Sequence, residues 1–199
     1  MVRLGQLLCG VLAAALLGGC GGMRLVDADV QATATPARIE PGARYRFERL
    51  PSQAEQPLAA QTEAHAQVAL AQVGLVRNDT AARYSVLPGV RIQPFVASGW
   101  DPYDGRGASP YGQIMIGSGT VGTGFGWGMR FPPPTHYRYE VTLLLRDLHS
   151  GQVVYETRAV HTGPWRDAEN LLPVLFAAAL QDFPNPPAGP RRINTEIPR

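Results

Sequence analysis

The segment 137–160, YRYEVTLLLRDLHSGQVVYETRAV, contains the pattern that decides the fold class. Two runs rich in β-branched and aromatic residues, 137–145 and 152–160, are separated by a turn that contains Ser150 and Gly151. Such a pair of runs around a Ser-Gly turn is typical of an antiparallel β-hairpin. Alternation along the first run places every second side chain on the face that is expected to line the core. These side chains are Tyr139, Val141, Leu143 and Leu145.

Alternating apolar and polar residues predict three further strands ahead of the hairpin. In the last of them, Pro88 and Gly89 are expected to cause a bulge or an interruption, because proline cannot donate a ladder hydrogen bond. The predicted strands are 25–33, 44–50 and 83–91.

Two helices complete the predicted fold. An alanine-rich apolar face predicts a helix over 57–73, and Asp167 is expected to cap a second helix that runs to about residue 182. Together the elements predict an α+β fold, a single two-layer domain with a mostly antiparallel sheet and two helices. This domain is expected over 25–184, and the Pro/Arg-rich tail 185–199 is expected to extend along its surface.

A segment rich in glycine, proline and aromatic residues, 98–134, interrupts the regular pattern. Without helical periodicity, such a composition predicts a long loop or an irregular hairpin. Its rings have two open interpretations. They form a docking surface for a protein partner, a glycan or a membrane face, or they fold back over one side of the sheet, since soluble proteins rarely expose large apolar patches. The candidate partner-binding residues are Trp100, Tyr103, Tyr111, Phe125 and Trp127.

The N-terminus has the layout of a secretory signal peptide. Arg3 precedes an apolar stretch over 4–17 that is too short to span a bilayer. The stretch ends in LGGC at 17–20, which resembles a lipobox, the motif in which a cysteine receives a diacylglycerol and the chain is cut before it. Cleavage is therefore predicted between Gly19 and Cys20. The alternatives are an ordinary signal peptide with a chance cysteine, or a short buried helix.

Such cleavage would remove residues 1–19 and leave 20–24 as the lipidated Cys20 with a short tether into a lipid bilayer. Gly21 and Gly22 follow the cysteine, so the aspartate that retains enteric lipoproteins in the inner membrane is absent. In a Gram-negative cell the mature protein is thus predicted to be anchored in the outer membrane and to face the periplasm.

Cysteine usage and charge exclude several classes of function. Cys9 leaves with the signal peptide and Cys20 carries lipid, so the mature domain has no thiol for a disulfide, a cysteine–zinc site or a cysteine nucleophile. The chain has a net charge of +2, contains no lysine and intersperses arginine with acidic residues. Because nucleic-acid binding needs a dense basic surface, no nucleic-acid partner is predicted.

No motif predicts a cofactor, a metal ion or a catalytic site. GSGTVG at 117–122 spells a dinucleotide fingerprint, but prolines at 132–134 follow in place of the helix that the motif needs. Asp101 and Asp104 lack the further oxygen ligands of a calcium loop, and the histidines lack a zinc-binding spacing. We therefore predict a non-catalytic domain that binds another envelope component. A hydrolase or other enzyme acting on envelope material, with a site assembled from dispersed residues, is the alternative.

The chain also resembles proteobacterial lipoproteins of the domain of unknown function 4136 (DUF4136) family. The resemblance rests on YRFE at 45–48, the glycine/aromatic segment, RDLHSGQVVYE at 146–156 and FPNPP at 183–187, and it covers most of the mature domain. It implies an envelope lipoprotein of α+β fold. It implies no activity and no catalytic residues.

Overall fold

The computed structural model describes residues 22–36, 39–51, 58–96 and 135–198, and these ranges contain seven strands and two helices. The strands are β1 (Met23–Ala34), β2 (Arg44–Phe47), β3 (Val76–Arg77), β4 (Tyr84–Val96), β5 (Thr135–Asp147), β6 (Val153–Gly163) and β7 (Arg191–Pro198). The helices are α1 (Ala59–Gln72) and α2 (Ala168–Ala179). The predicted α+β class with two helices is confirmed. Within the described ranges, neither helix combines the length and the apolar character needed to cross a bilayer.

All seven strands form one mixed sheet in the order β3-β2-β4-β5-β6-β1-β7. β2 runs parallel to β3 and β4, whereas the other four neighbouring pairs are antiparallel. The prediction of a mostly antiparallel sheet is therefore corrected to a mixed sheet. The parallel part arises because α1 connects β2 to β3 and β4, and a strand that follows a crossover helix runs in the same direction as the strand before it.

The core lies between the sheet and the two helices. The helices contact each other, α1 also contacts β4, and α2 also contacts β1, β5 and β6, so both lie on one face of the sheet. The predicted hairpin is confirmed as β5 and β6, which pair antiparallel from Tyr137 opposite Gly163. The side chains predicted to line the core are at most 1% exposed. They are Tyr139, Val141, Leu143 and Leu145.

Strand β4 continues through Pro88 and Gly89, where the sequence predicted a bulge or an interruption. Pro88 pairs with Leu143 and Gly89 with Thr142 in unbroken register. The backbone N–H of Glu48, the residue after β2, donates a hydrogen bond to the carbonyl of Val86. Pro88 is two residues after Val86, so its nitrogen points to the same side of β4, at a level where β2 has already ended. The proline therefore removes no ladder bond. A methyl group at Gly89 would overlap the Thr142 hydroxyl, so glycine permits this close approach.

The C-terminal segment belongs to the sheet. Residues 191–198 of the predicted surface tail are extended, as expected, but they form β7, which pairs along β1 from Met23 opposite Pro198 to Val30 opposite Arg191. Ile197 is buried against the core. The sheet thus continues past the predicted domain boundary at residue 184.

Candidate functional site at the N-terminal end of the sheet

Two groups of predicted site residues lie outside the described part of the chain. The cleavage and lipidation residues, Gly19 and Cys20, precede the first described residue, Gly22. The candidate partner-binding residues lie between β4 and β5 and are also outside it. They are Trp100, Tyr103, Tyr111, Phe125 and Trp127. The described strands nevertheless fix where both segments join the fold.

The N-terminal segment joins the sheet where β1 begins. Met23, the first residue of β1, pairs with Pro198, near the C-terminus of the chain. β1 is also antiparallel to β6, so the start of β1 lies beside the end of β6, at Gly163. We refer to this end of the sheet as the N-terminal end.

The glycine/aromatic segment joins the fold at the same end. Val96, the last residue of β4, pairs with Thr135, the first residue of β5. Tyr137 in turn pairs with Gly163 at the end of β6. The chain therefore leaves for 97–134 and returns from it on neighbouring strands, at the end of the sheet where β1 starts.

A buried arginine fixes the start of β1 to the rest of the domain. The side chain of Arg24 is only 8% exposed and forms an ion pair with the carboxylate of Asp167. Its guanidinium carbon also lies 5.8 Å from the centre of the Trp165 ring. A guanidinium over an indole face is a favourable cation–π contact. Arg24 therefore ties β1 to the connection between β6 and α2.

Tyr139 and the cap of α2 complete this network. The Tyr139 hydroxyl donates to the carbonyl of Trp165 at 3.1 Å and accepts from the backbone N–H of Asp167 at 2.9 Å. Asp167 Oδ1 accepts from the backbone N–H of Asn170 at 3.3 Å, which confirms the predicted helix cap. We call Arg24, Tyr139, Trp165 and Asp167 the N-terminal clamp.

The electrostatics of the clamp favour a structural role. Burial raises the pKa of Asp167, but hydrogen bonds from Asn170 and Arg24 outweigh it and hold the pKa below its ordinary value. Burial raises the pKa of Tyr139, so its phenol stays protonated at neutral pH and continues to donate. These groups bind one another and the backbone, so the clamp holds the point at which the N-terminal segment enters the domain.

Replacing Asp167 with asparagine should destabilise the domain by about 1–3 kcal/mol at pH 7, because the buried Arg24 loses its charged acceptor. A carboxylate whose pKa is lowered on folding stabilises the protein above its ordinary pKa and loses this contribution as the pH falls through the folded value. The difference in the free energy of unfolding between the variant and the wild type should therefore shrink below about pH 4. Urea unfolding at several pH values measures it.

Asp79→Asn is the matched control for this prediction. Asp79 also pairs with an arginine, Arg77, at 3.3 Å, but its side chain is 61% exposed. Exposed ion pairs contribute little, so this variant should stay within about 0.5 kcal/mol of wild type. A cost for Asp167→Asn that does not change with pH would contradict the assigned role of its charge.

The histidines do not form a common site. His65 lies on α1, His136 on β5, His149 in the turn after β5, and His161 on β6. The imidazole Nδ1 of the buried His161 lies 2.8 Å from the backbone carbonyl of Asp27. Across the ranges that the structure describes, no three His, Cys, Asp or Glu residues are grouped so that they could hold a metal ion.

Two buried carboxylates, Glu63 and Asp147, also form contacts within the fold. Glu63 on α1 is 7% exposed and forms an ion pair with Arg49. Asp147 accepts from the backbone N–H groups of His149 at 2.8 Å and Ser150 at 3.2 Å, and these bonds close the hairpin turn. The bond from His149 is the main reason that the pKa of Asp147 lies below its ordinary value. Both carboxylates thus support local structure.

Comparisons with known proteins identify distant structural similarity. No protein-family model and no curated protein matches the chain. The PelC dodecamer from Paraburkholderia phytofirmans is 17% identical, with 80% of this chain and 99% of that chain covered and a TM-score of 0.45. A point variant of that PelC is 18% identical, with coverages of 77% and 94% and a TM-score of 0.43.

A PDZ domain protein from Parabacteroides distasonis is 11% identical, with a TM-score of 0.49. The match covers 93% of this chain and 41% of that chain. Similarity at these levels assigns neither a family nor a function to this protein.

Proposed function

We propose that the protein is a lipoprotein of the bacterial envelope, cleaved before Cys20 and held in the outer membrane by acyl groups on that cysteine. The observation that carries this proposal is the sequence LGGC at 17–20, directly after an apolar run of signal-peptide length. In the proposed mature protein only Gly21 and Gly22 would separate the acylated residue from the start of β1 at Met23.

The exported domain acts as a binding module without catalytic activity. Its partner is another envelope component, a protein or a glycan, and the aromatic residues of 98–134 supply the contact. Two features support this proposal. The segment combines large rings with glycine, which provides contact area and close backbone approach. In addition, Asp167 in the clamp and Asp147 in the hairpin turn pair with groups of the fold itself.

Trp100→Ala tests the binding proposal. If the Trp100 ring contacts a partner, its removal should sharply reduce the amount of partner crosslinked in intact envelopes. Its removal should leave the melting curve almost unchanged, because an exposed ring contributes little to folding. Leu148→Ala, in the turn at the opposite end of β5, should preserve both capture and stability. A Trp100→Ala variant that melts far below wild type would show that the ring instead covers the sheet.

A further inference from the structure

Five large apolar side chains are exposed at the N-terminal end of the sheet. They come from the start of β1, the end of β4 and the connection that follows β6. Their exposed fractions are 53% for Met23, 60% for Leu25, 38% for Phe95, 48% for Val96 and 45% for Trp165. We call these five residues the apolar rim.

The rim extends from β4 to β1 at this end of the sheet. Val96 is on β4, where it pairs with Thr135 on β5, and Met23 and Leu25 are on β1. Because β5 and β6 lie between β4 and β1, the row spans three strand spacings. At about 4.8 Å per spacing, this is roughly 14 Å. The rim is therefore a row of exposed apolar side chains and not an isolated exposed residue.

The N-terminal clamp fixes the part of the rim that Met23, Leu25 and Trp165 form. The backbone carbonyl of Trp165 accepts from Tyr139, and the Trp165 ring lies against the guanidinium of Arg24. Arg24 is itself buried and paired with Asp167. Because successive side chains of a strand point to opposite faces, the contacts that direct Arg24 into the domain leave Met23 and Leu25 exposed on the opposite face of β1.

The chain reaches the rim directly from the lipid-bearing cysteine. Three residue steps separate Cys20 from Met23, and a fully extended chain covers at most about 3.6 Å per step, or roughly 11 Å in all. If Cys20 is acylated at the membrane surface, the start of β1 cannot stand farther from the bilayer than this. Tethering of this kind raises the effective concentration of the rim at the membrane, so modest apolar contacts suffice for docking.

We infer that the apolar rim rests in the interfacial region of the bilayer that holds the acyl groups, so that the N-terminal end of the sheet faces the lipid. This inference rests on the proposed acylation of Cys20. Tryptophan favours the headgroup level, where its ring is buried and its N–H stays hydrated. The surrounding aliphatic side chains lose contact with water in the same step.

Apolar contact, and not net charge, drives this docking. The exposed charges beside the rim have both signs, with Arg166 next to Trp165 and Glu196 paired with Leu25. Attraction to anionic lipid would weaken with salt, whereas apolar contact would not. The docked state should therefore persist at high ionic strength.

Site-specific quenching by lipids tests the inference on the full chain. Because the mature protein has no free thiol once Cys20 is acylated, a single introduced cysteine can carry a fluorophore. The test variants are Leu25→Cys and Trp165→Cys, and the matched control is Leu148→Cys. Leu148 is also an exposed apolar residue, at 38%, but it lies beyond the far end of β5. A strand of 13 residues places it about 40 Å away.

The labelled lipoproteins are reconstituted in phosphatidylethanolamine and phosphatidylglycerol vesicles with and without shallow nitroxide lipids. We expect nitroxide to lower emission at positions 25 and 165 about twofold or more, at low and high salt, and to leave position 148 almost unchanged. Melting curves like that of the unlabelled protein establish that the variants are folded.

If nitroxide lipid leaves the emission at positions 25 and 165 as unchanged as at position 148, in protein whose N-terminal acyl mass is intact, the inference is overturned and the proposed anchor still stands. Quenching that disappears at high salt would overturn the apolar mechanism. An N-terminus without acyl mass would instead refute the proposed function, and the inference with it.

Discussion

Replacing Leu143 with alanine is expected to lower the free energy of unfolding by about 2–5 kcal/mol. Leu143 is fully buried near the middle of β5, between Pro88 on β4 and Thr157 on β6, on the face that packs against α2. The truncation removes buried apolar area and leaves a cavity that two ordered strands cannot close. Urea unfolding of the purified protein measures the loss.

Glu140→Ala is the matched control on the opposite face of the same strand. Its carboxylate lies 2.7 Å from Arg158 and 4.0 Å from Arg138, but both arginine side chains are nearly half exposed. Such surface pairs contribute little, so the expected change is about 0.5 kcal/mol or less. Equal losses for the two variants would contradict the register of β5.

The second large effect is expected at Cys20. Cys20→Ser should abolish lipidation, because a serine hydroxyl does not replace the thiol that accepts the diacylglycerol. The variant should accumulate as uncleaved precursor and retain residues 1–19. Immunoblots of membrane fractions from cells that express each variant measure the ratio of precursor to mature protein.

Cys9→Ser is the control that the chain itself offers. Cys9 lies inside the apolar run of the signal, 11 positions before Cys20, so its replacement should leave processing intact. Normal maturation of Cys20→Ser, or a block in Cys9→Ser, would contradict the assignment of Cys20 as the acylated residue.

The hairpin and its core face could be predicted because their signals are local. Tyr139 and Val141 alternate with polar residues within one run, and a turn that contains Gly151 comes soon after the run ends. The direction of β2 could not be predicted in this way. It depends on α1 crossing the sheet, which no alternation within 44–50 encodes. Strand β7 was missed because its partner β1 lies at the other end of the chain, so no local pattern marks the pairing.

The candidate site shows the same limit. Arg24 falls in the predicted tether because the predicted strand begins at Leu25, but its spacing from Val26 and Ala28 places it on the core face of β1. That alternation was the available signal. Trp165 lies between a strand and a helix, outside any periodic pattern, so its contact with Arg24 follows only from the tertiary fold. The five candidate aromatic residues stay predictions because they lie outside the described residues.

The mass of the intact mature protein, purified from membranes, tests the central claim most directly. A chain that begins at Cys20, with the added mass of a diacylglycerol on that residue, is the result that the proposed function requires. A chain that begins at Cys20 or elsewhere without acyl mass, or that retains residues 1–19, would contradict it.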